Sequence, residues 1–260
     1  MIKTIAATTL ALTLPLAVQA APVAVDLTGW TAEEGNGGTA ANWVVQTGND
    51  SVLQTRNSRP SVFFDTGTDA QGTALKGSIT VETTGDDDFI GFVLGYNAGE
   101  FDSATADFWL IDWKQNNQTF SGEFAGAGLA LSHVTGDVAT ADEDDFWGHV
   151  RTVSEVQRAT NLGSTGWLDN TTYSFELTFQ PNLISVSVNG NVELSYTSAM
   201  FGSTFTDGAF GFYNYSQDRV RYAGITEEVL PPSSEVPLPA SLPLLLAGIG
   251  GVAALRRRKG

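Results

Sequence analysis

The sequence predicts an all-β fold, a sandwich or jelly roll of antiparallel strands. Apolar and polar residues alternate along several short runs, and the runs are separated by loops rich in Gly, Asp and Asn. The chain also contains 28 Gly, 15 Phe, 6 Trp and 6 Tyr. Aromatic residues favour strands and glycine favours turns, so this composition supports the same class. We expect no helix of normal length outside the two ends.

The clearest element is a predicted hairpin. Residues 184–188 and 192–196 alternate in polarity and are joined by Asn189-Gly190, a pair suited to the positive φ angles of a type I′ turn. Residues 173–179 alternate in the same way. Similar runs predict strands at 78–82, 89–96, 108–114, 129–134, 209–215 and 220–225.

Composition excludes several classes of function. Lys and Arg number 13 against 29 Asp and Glu, a formal charge of -16, which argues against binding to nucleic acid. The absence of cysteine excludes disulfides, zinc fingers and iron–sulfur clusters, and two histidines exclude a His-rich metal site.

Catalytic motifs are also missing from the sequence. It contains no G-x-S-x-G, no Walker loop, no dinucleotide fingerprint and no E-x-D-x-x-E strand of the type found in glucanases. We therefore predict a protein that is not an enzyme, with a divergent glycoside hydrolase as a minor alternative.

The two ends are typical of targeting segments. Residues 1–20 contain Lys3, an apolar stretch and small residues before a cleavage point after Ala20, which predicts a signal peptide and export. The mature domain is predicted at 22–230, followed by a linker at 231–235.

Residues 236–260 begin with VPLPA, continue as an uncharged run and end in Arg256–Lys259. A transmembrane helix is predicted at 237–255, because the uncharged stretch of 20 residues is about 30 Å long as a helix. This end resembles the VPLPA variant of bacterial PEP-CTERM sorting signals. The resemblance implies an exosortase-type sorting peptidase as partner, and surface display or release.

A second resemblance covers most of the mature domain. Residues 85–96 read GDDDFIGFVLGY and residues 107–115 read DFWLIDWKQ. Together they resemble the C-terminal domain of thrombospondins, and shorter matches follow the same order along the chain. These lie at 42–45 (NWVV), 166–173 (GWLDNTTY) and 211–218 (GFYNYSQD).

This resemblance implies a jelly-roll sandwich of the concanavalin A-like lectin/glucanase type, calcium binding, and a role in adhesion or matrix contact. The chain departs from the family in three ways. It lacks the EGF modules and D-x-D-x-D-G repeats that precede the domain, and it lacks the family's cysteines. Asp107 and Phe108 also replace the Arg-containing start of the animal cell-binding segment, so that receptor is not implied.

Asp86, Asp87 and Asp88 are the predicted metal ligands, with calcium as the cofactor. Three adjacent carboxylates repel one another unless a cation screens them, and calcium takes 6–8 oxygen ligands. Alternation along a strand predicts Asp86 and Asp88 on one face and Asp87 on the other. The alternative is a solvated acidic loop.

Two other acidic positions are weaker candidates. Residues 142–145 form a second acidic run, either another cation site or a solvated loop. Asp112 interrupts an aromatic strand, on the face opposite Trp109, Ile111 and Trp113, and is expected to be an exposed strand residue rather than a cation ligand.

The six tryptophans are mostly expected in the core: Trp43, Trp109, Trp113 and Trp147, with Trp30 and Trp167 less certain. Together these features predict an exported calcium-binding module that binds an extracellular protein or glycan in adhesion or matrix association. The alternatives are a lectin-like carbohydrate-binding module and a purely structural envelope protein.

Overall fold

The computed structural model describes residues 21–67 and 69–231. The predicted signal peptide, the predicted linker beyond Pro231 and the predicted sorting signal at 236–260 lie outside these residues. Over the described ranges, no helix has the length and hydropathy needed to cross a bilayer. The chain divides into compact units of residues 1–230 and 231–260, and all elements below belong to the first.

The strands of the described residues are β1 (Val23–Ala24), β2 (Thr31–Glu34), β3 (Trp43–Val45), β4 (Val52–Gln54), β5 (Ser61–Phe64), β6 (Thr73–Val81), β7 (Phe89–Tyr96), β8 (Ala106–Lys114), β9 (Gln118–Phe120), β10 (Glu123–Ala125), β11 (Gly128–Gly136), β12 (Val153–Arg158), β13 (Thr172–Gln180), β14 (Leu183–Val188), β15 (Asn191–Thr197), β16 (Ala209–Tyr215) and β17 (Val220–Val229). The helices are α1 (Glu143–Gly148) and α2 (Ser198–Phe201), with 3-10 turns at Leu27–Gly29, Glu100–Asp102 and Val138–Thr140.

The strands form two large antiparallel sheets. The first sheet has the order β15-β14-β13-β6-β17-β4-β3, with β1 also paired to β17. The second sheet has the order β12-β11-β8-β7-β16-β5-β2, and β9 and β10 form a separate hairpin. Because neighbours such as β6 and β17 are far apart in sequence, the chain crosses repeatedly between the sheets. The predicted all-β antiparallel sandwich is confirmed.

The predicted hairpin is also confirmed. Strands β14 and β15 pair around Asn189 and Gly190, whose φ angles of 50° and 78° are both positive, as a type I′ turn requires. Strands β7 and β16 begin and end at the predicted residues. Strands β1 to β5, β9, β10 and β12 were not predicted, because most are three or four residues long and carry little alternation.

Both faces of the second sheet are covered. One face packs against the first sheet in the main core, and the other carries a second apolar cluster that includes Phe146 and Trp147 of α1 and Ala125 of β10. Every residue of β7 and β16 is therefore buried. The expectation that Asp112 is an exposed strand residue is wrong for this reason: the face was correctly assigned, but Asp112 is only 1% exposed.

Most of the tryptophans belong to one of the two apolar clusters or pack against it. Trp109, Trp113 and Trp147 are buried, as expected, and Trp167 is buried as well at 1% exposure. Trp43 is only half-buried and packs against the main core, as does Trp30.

Candidate metal site at the start of β7

Asp86, Asp87 and Asp88 lie in the loop directly before β7. Each carboxylate has an oxygen within 4.8 Å of an oxygen of the other two. The expectation that Asp87 points away from its neighbours is wrong, because the three residues precede the strand and do not follow its alternation. The structure thus brings together all three predicted ligands.

Both backbone polar groups of Asp88, the N–H and the carbonyl, are hydrogen-bonded to buried side chains. Its N–H donates to Oε1 of Gln217 at 3.0 Å, and its carbonyl accepts the indole N–H of Trp167 at 3.1 Å. Gln217 and Trp167 are themselves buried, and Asp88 is 4% exposed. This end of the acidic loop is therefore fixed by the core.

The carboxylate of Asp88 faces a fully buried lysine. Nζ of Lys114 donates to Oδ1 of Asp88 at 2.6 Å, to Oε1 of Gln118 at 2.9 Å and to the carbonyl of Asp87 at 3.2 Å. Three acceptors satisfy the three N–H groups of an ammonium. The rings of Trp147 and Phe89 lie 4.4 and 5.0 Å from Nζ and add cation–π attraction.

Asp86 and Asp87 lack such close compensation. Oδ2 of Asp86 accepts a hydrogen bond from Asn57 at 2.6 Å, and no ammonium or guanidinium among the described residues pairs with this carboxylate. Burial and the charge of Asp88 raise the pKa of Asp86 to about 6. The Asp87 side chain is about one-third exposed, and its Oδ1 is 3.9 Å from Nζ of Lys114.

The charges of this cluster fit a divalent cation. Three carboxylates against one ammonium leave two negative charges, the number that one Ca²⁺ would neutralise. The donor set is entirely oxygen, which calcium prefers, and Asp87 leaves the cluster open to solvent. The raised pKa of Asp86 indicates that its charge is not compensated by the protein alone.

Comparison with known proteins places these residues in a family. The family model of the thrombospondin C-terminal region matches residues 38–229, which include the acidic loop, β7 and β8. The chain belongs to the thrombospondin C-terminal region family. The predicted family resemblance is thereby confirmed.

Individual relatives of this thrombospondin C-terminal domain are distant. Thrombospondin-2 of Homo sapiens is 27% identical over 204 residues, covering 72% of this chain and 16% of that protein. Cartilage oligomeric matrix protein of Bos taurus is 27% identical over 203 residues, covering 74% of this chain and 26% of that protein. The chain therefore spans a minor part of the curated relatives it matches.

Among solved structures, a carbohydrate-binding module from Bacillus subtilis is 11% identical with a TM-score of 0.48. The match covers 77% of this chain and 96% of that module.

One residue of the second acidic run, Asp145, has a structural role in this thrombospondin C-terminal domain. Asp145 is buried, and its carboxylate bonds to Nε of Arg151 at 2.6 Å and to the hydroxyl of Thr152 at 2.8 Å. Over 21–67 and 69–231, Asp86–Asp88 is the only group of three or more His, Asp or Glu side chains with one ligand atom from each within 4.8 Å of the others. The structure thus gives no support to a cation site at 142–145.

Asp112 belongs to a buried ion network. Oδ2 of Asp112 lies 2.8 Å from Nε2 of His149, and Nδ1 of His149 lies 3.3 Å from Oε2 of Glu155. Burial alone would lower the pKa of His149, but the charges and hydrogen bonds of Asp112 and Glu155 raise it to about 9. The imidazole is therefore a cation at neutral pH and neutralises Asp112 inside the protein.

Neither histidine is arranged as the base of a serine nucleophile within the described ranges. Both ring nitrogens of His149 face carboxylates, and Nε2 of His133 bonds to Asp107 at 2.7 Å. His133 also stacks on Trp109 with ring centroids 4.4 Å apart. The prediction that the protein is not an enzyme stays a prediction.

Sequence reasoning predicted the three aspartates as ligands but missed the residues that contact them: Asn57, Lys114, Trp167 and Gln217. A usable signal existed for Lys114, because it is the one cation in an aromatic-rich strand whose other charged residues, Asp107 and Asp112, are acidic. Gln217 lies within the family motif at 211–218, whereas no comparable signal marks Asn57; both reach the loop from other parts of the sequence.

Proposed function

We propose that this protein is an exported calcium-binding module, folded as a concanavalin A-like jelly roll, that acts in adhesion or extracellular-matrix association. Calcium would bind at Asp86, Asp87 and Asp88. The observation that carries the proposal is the convergence of these three carboxylates within 4.8 Å with a single buried ammonium beside them.

Calcium would act here as a structural clamp. It would join the carboxylates of Asp86 and Asp87 to that of Asp88, which the core already fixes through Gln217 and Trp167. Burial and the charge of Asp88 raise the pKa of Asp86, and the cation would offset both effects by stabilising the ionised carboxylate. A loop fixed in this way presents a constant surface to a partner, which lowers the entropy lost on binding.

The adhesive part of the proposal rests on relatives. Several are named thrombospondins, and others are named cartilage oligomeric matrix protein. Because this chain spans only a fraction of each, matrix association by this domain alone is an inference. The predicted signal peptide supports export, and the predicted sorting signal supports a surface-displayed or released form processed by an exosortase-type peptidase.

Thermal unfolding in EDTA and across a calcium titration tests the metal site. At 100 times its dissociation constant, a ligand of the native state adds about 2.7 kcal/mol to the free energy of unfolding, which is a measurable rise in Tm. We expect Asp86→Asn with Asp87→Asn to abolish the rise. Asp88 is left intact, so that Lys114 keeps its partner.

The matched control is Asp142→Asn with Asp144→Asn, which removes the same charge from the second acidic run. This pair should keep the full response to calcium. The proposal fails if the Tm does not change with calcium, or if both pairs of substitutions reduce the rise in Tm equally. Retention of the protein on extracellular matrix with and without calcium then tests the adhesive role separately.

A further inference from the structure

A cavity of about 270 Å³ opens between α1, the β9–β10 hairpin and the loop before β5. The residues that line it include Arg59, Asp88, Phe120, Glu143, Trp147 and Tyr215. Ligand cavities in proteins usually measure about 300–1,000 Å³, so this one suits a single side chain or a similarly small molecule rather than an oligosaccharide.

The charges that line the cavity do not cancel. The Arg59 guanidinium is neutralised by Glu34 at 2.7 Å, and Asp88 is neutralised by Lys114 at 2.6 Å. Within the described ranges Glu143 makes no ion pair and its carboxylate accepts no hydrogen bond. The cavity therefore contains one uncompensated negative charge.

Glycine keeps space open beside this carboxylate. A Cβ on Gly38 would lie 3.4 Å from Oε2 of Glu143 and 3.2 Å from Cβ of Arg59. A Cβ on Gly37 would lie 3.7 Å from the same oxygen. Both residues have positive φ, at 80° for Gly37 and 61° for Gly38, which disfavours any side chain there.

The remaining wall is aromatic. Phe120 is 42% exposed, and its ring centroid lies 5.2 Å from that of Trp147, which lies 5.6 Å from that of Tyr215. Aromatic faces attract cations, and Nζ of Lys114 already lies 4.4 Å from the centroid of the Trp147 ring. An acidic group beside aromatic rings is the chemistry of a site for an organic cation.

We propose that this cavity binds the ammonium or guanidinium end of a lysine or arginine side chain from a partner protein. Glu143 would pair with the cation, and the rings of Phe120 and Trp147 would pack against its alkyl stem and charge. The formal charge of -16 would favour the approach of a basic segment. Burial and the neighbouring Asp144 and Asp142 raise the pKa of Glu143, a cost that a bound cation would relieve.

Calorimetric titration of the exported protein tests this with small probes. The basic probes are the N-acetyl methylamides of lysine and arginine, and the neutral isostere is the corresponding norleucine derivative. A simple alkylammonium ion, butylammonium, tests whether the site requires the peptide groups as well as the cation. Methyl glucoside tests a neutral sugar. We expect the basic derivatives to bind more tightly than butylammonium, and norleucine and glucoside not to bind.

Two variants locate the site. Glu143→Gln should weaken binding of the lysine derivative by about ten-fold or more, since it removes a charge-assisted hydrogen bond. Phe120→Ala, at an exposed position, should weaken it by about two- to five-fold through lost cation–π contact. Asp144→Asn removes the same charge from the adjacent residue and should change the affinity by less than about two-fold, because solvent screens it.

The proposal is overturned if the norleucine derivative or the glucoside binds as tightly as the basic derivatives, or if butylammonium binds more tightly than they do. It is also overturned if Glu143→Gln keeps full affinity for the lysine derivative. Each titration is run in EDTA and in saturating calcium. Binding of the basic probes in EDTA would stand even if the protein ignores calcium, so the two proposals fail independently.

Discussion

The ammonium of Lys114 lies 2.6 Å from Oδ1 of Asp88, with the two side chains 0% and 5% exposed. The pair joins the end of β8 to the start of β7, where the acidic loop ends. Desolvation makes such a pair costly to form, but breaking it is more costly still, because the remaining charge stays buried without a partner. The ion pair therefore fixes this end of the acidic loop whether or not a cation binds there.

Lys114→Met should lower the free energy of unfolding in EDTA by about 3–5 kcal/mol, measured by urea denaturation. The double variant Lys114→Met with Asp88→Asn should recover part of this loss, because the buried charge is removed with its partner. A loss below about 1 kcal/mol in the single variant would show that solvent reaches Asp88 and that the pair is not an internal one.

More of the fold than of the candidate site could be predicted from the sequence. Alternation and the Asn189-Gly190 turn predict the hairpin, and β7 and β16 begin and end where expected. Alternation also assigned Asp112 to the correct face of β8. It could not show that α1 covers that face, because the segment that packs on a sheet is set by tertiary structure.

The acidic residues of the candidate site were predictable from local sequence, and their environment was not. Three consecutive aspartates are visible in the sequence, whereas Gln217 and Trp167 reach Asp88 from 129 and 79 residues away. Contacts at such separation leave no periodic pattern. The same limit explains why the pairing of Asp112 with His149 was missed.

The buried pair of His149 and Asp112 should make stability depend on pH. The pKa of His149 is raised from 6.5 to about 9, so the folded state holds this proton more tightly than the unfolded state. The stabilisation is complete below about pH 6.5 and is lost as the pH rises through about 9. We expect the free energy of unfolding to decline by an amount on the order of 3 kcal/mol across this window. Denaturant midpoints at a series of pH values measure the decline.

His149→Asn serves as the variant for this measurement, since His149 has a φ of 50° and asparagine tolerates that conformation. The variant should be less stable at neutral pH, because Asp112 loses its buried partner, and its stability should stay level from about pH 6.5 to 9. A decline as steep as that of the unmodified protein would assign the effect to another group.

Gly91 should tolerate no side chain. It lies opposite Asp112 in the pairing of β7 with β8, and a Cβ would be 2.0 Å from the carbonyl oxygen of Ile111. Because this obstacle is backbone, Gly91→Ala should cost more than about 3 kcal/mol or prevent folding. Gly99→Ala is the comparison: its φ is 89° but nothing lies within 4 Å, so strain alone should cost about 1–2 kcal/mol. Similar Tm values for the two variants would contradict the close strand packing.

Trp167 should matter for both stability and calcium. Its indole N–H donates at 3.1 Å to the carbonyls of Asp88 and Trp113, and the side chain is 1% exposed. Trp167→Phe leaves two buried carbonyls short of a donor and a void beside them, at a cost of about 2–4 kcal/mol. It should also reduce the rise in Tm with calcium, because Asp88 loses one of its anchors. Trp30→Phe, at a half-buried ring stacked 5.2 Å from Phe212, should keep the full calcium response. If Trp167→Phe retained that response, the acidic loop would be fixed by Lys114 and Gln217 without the indole.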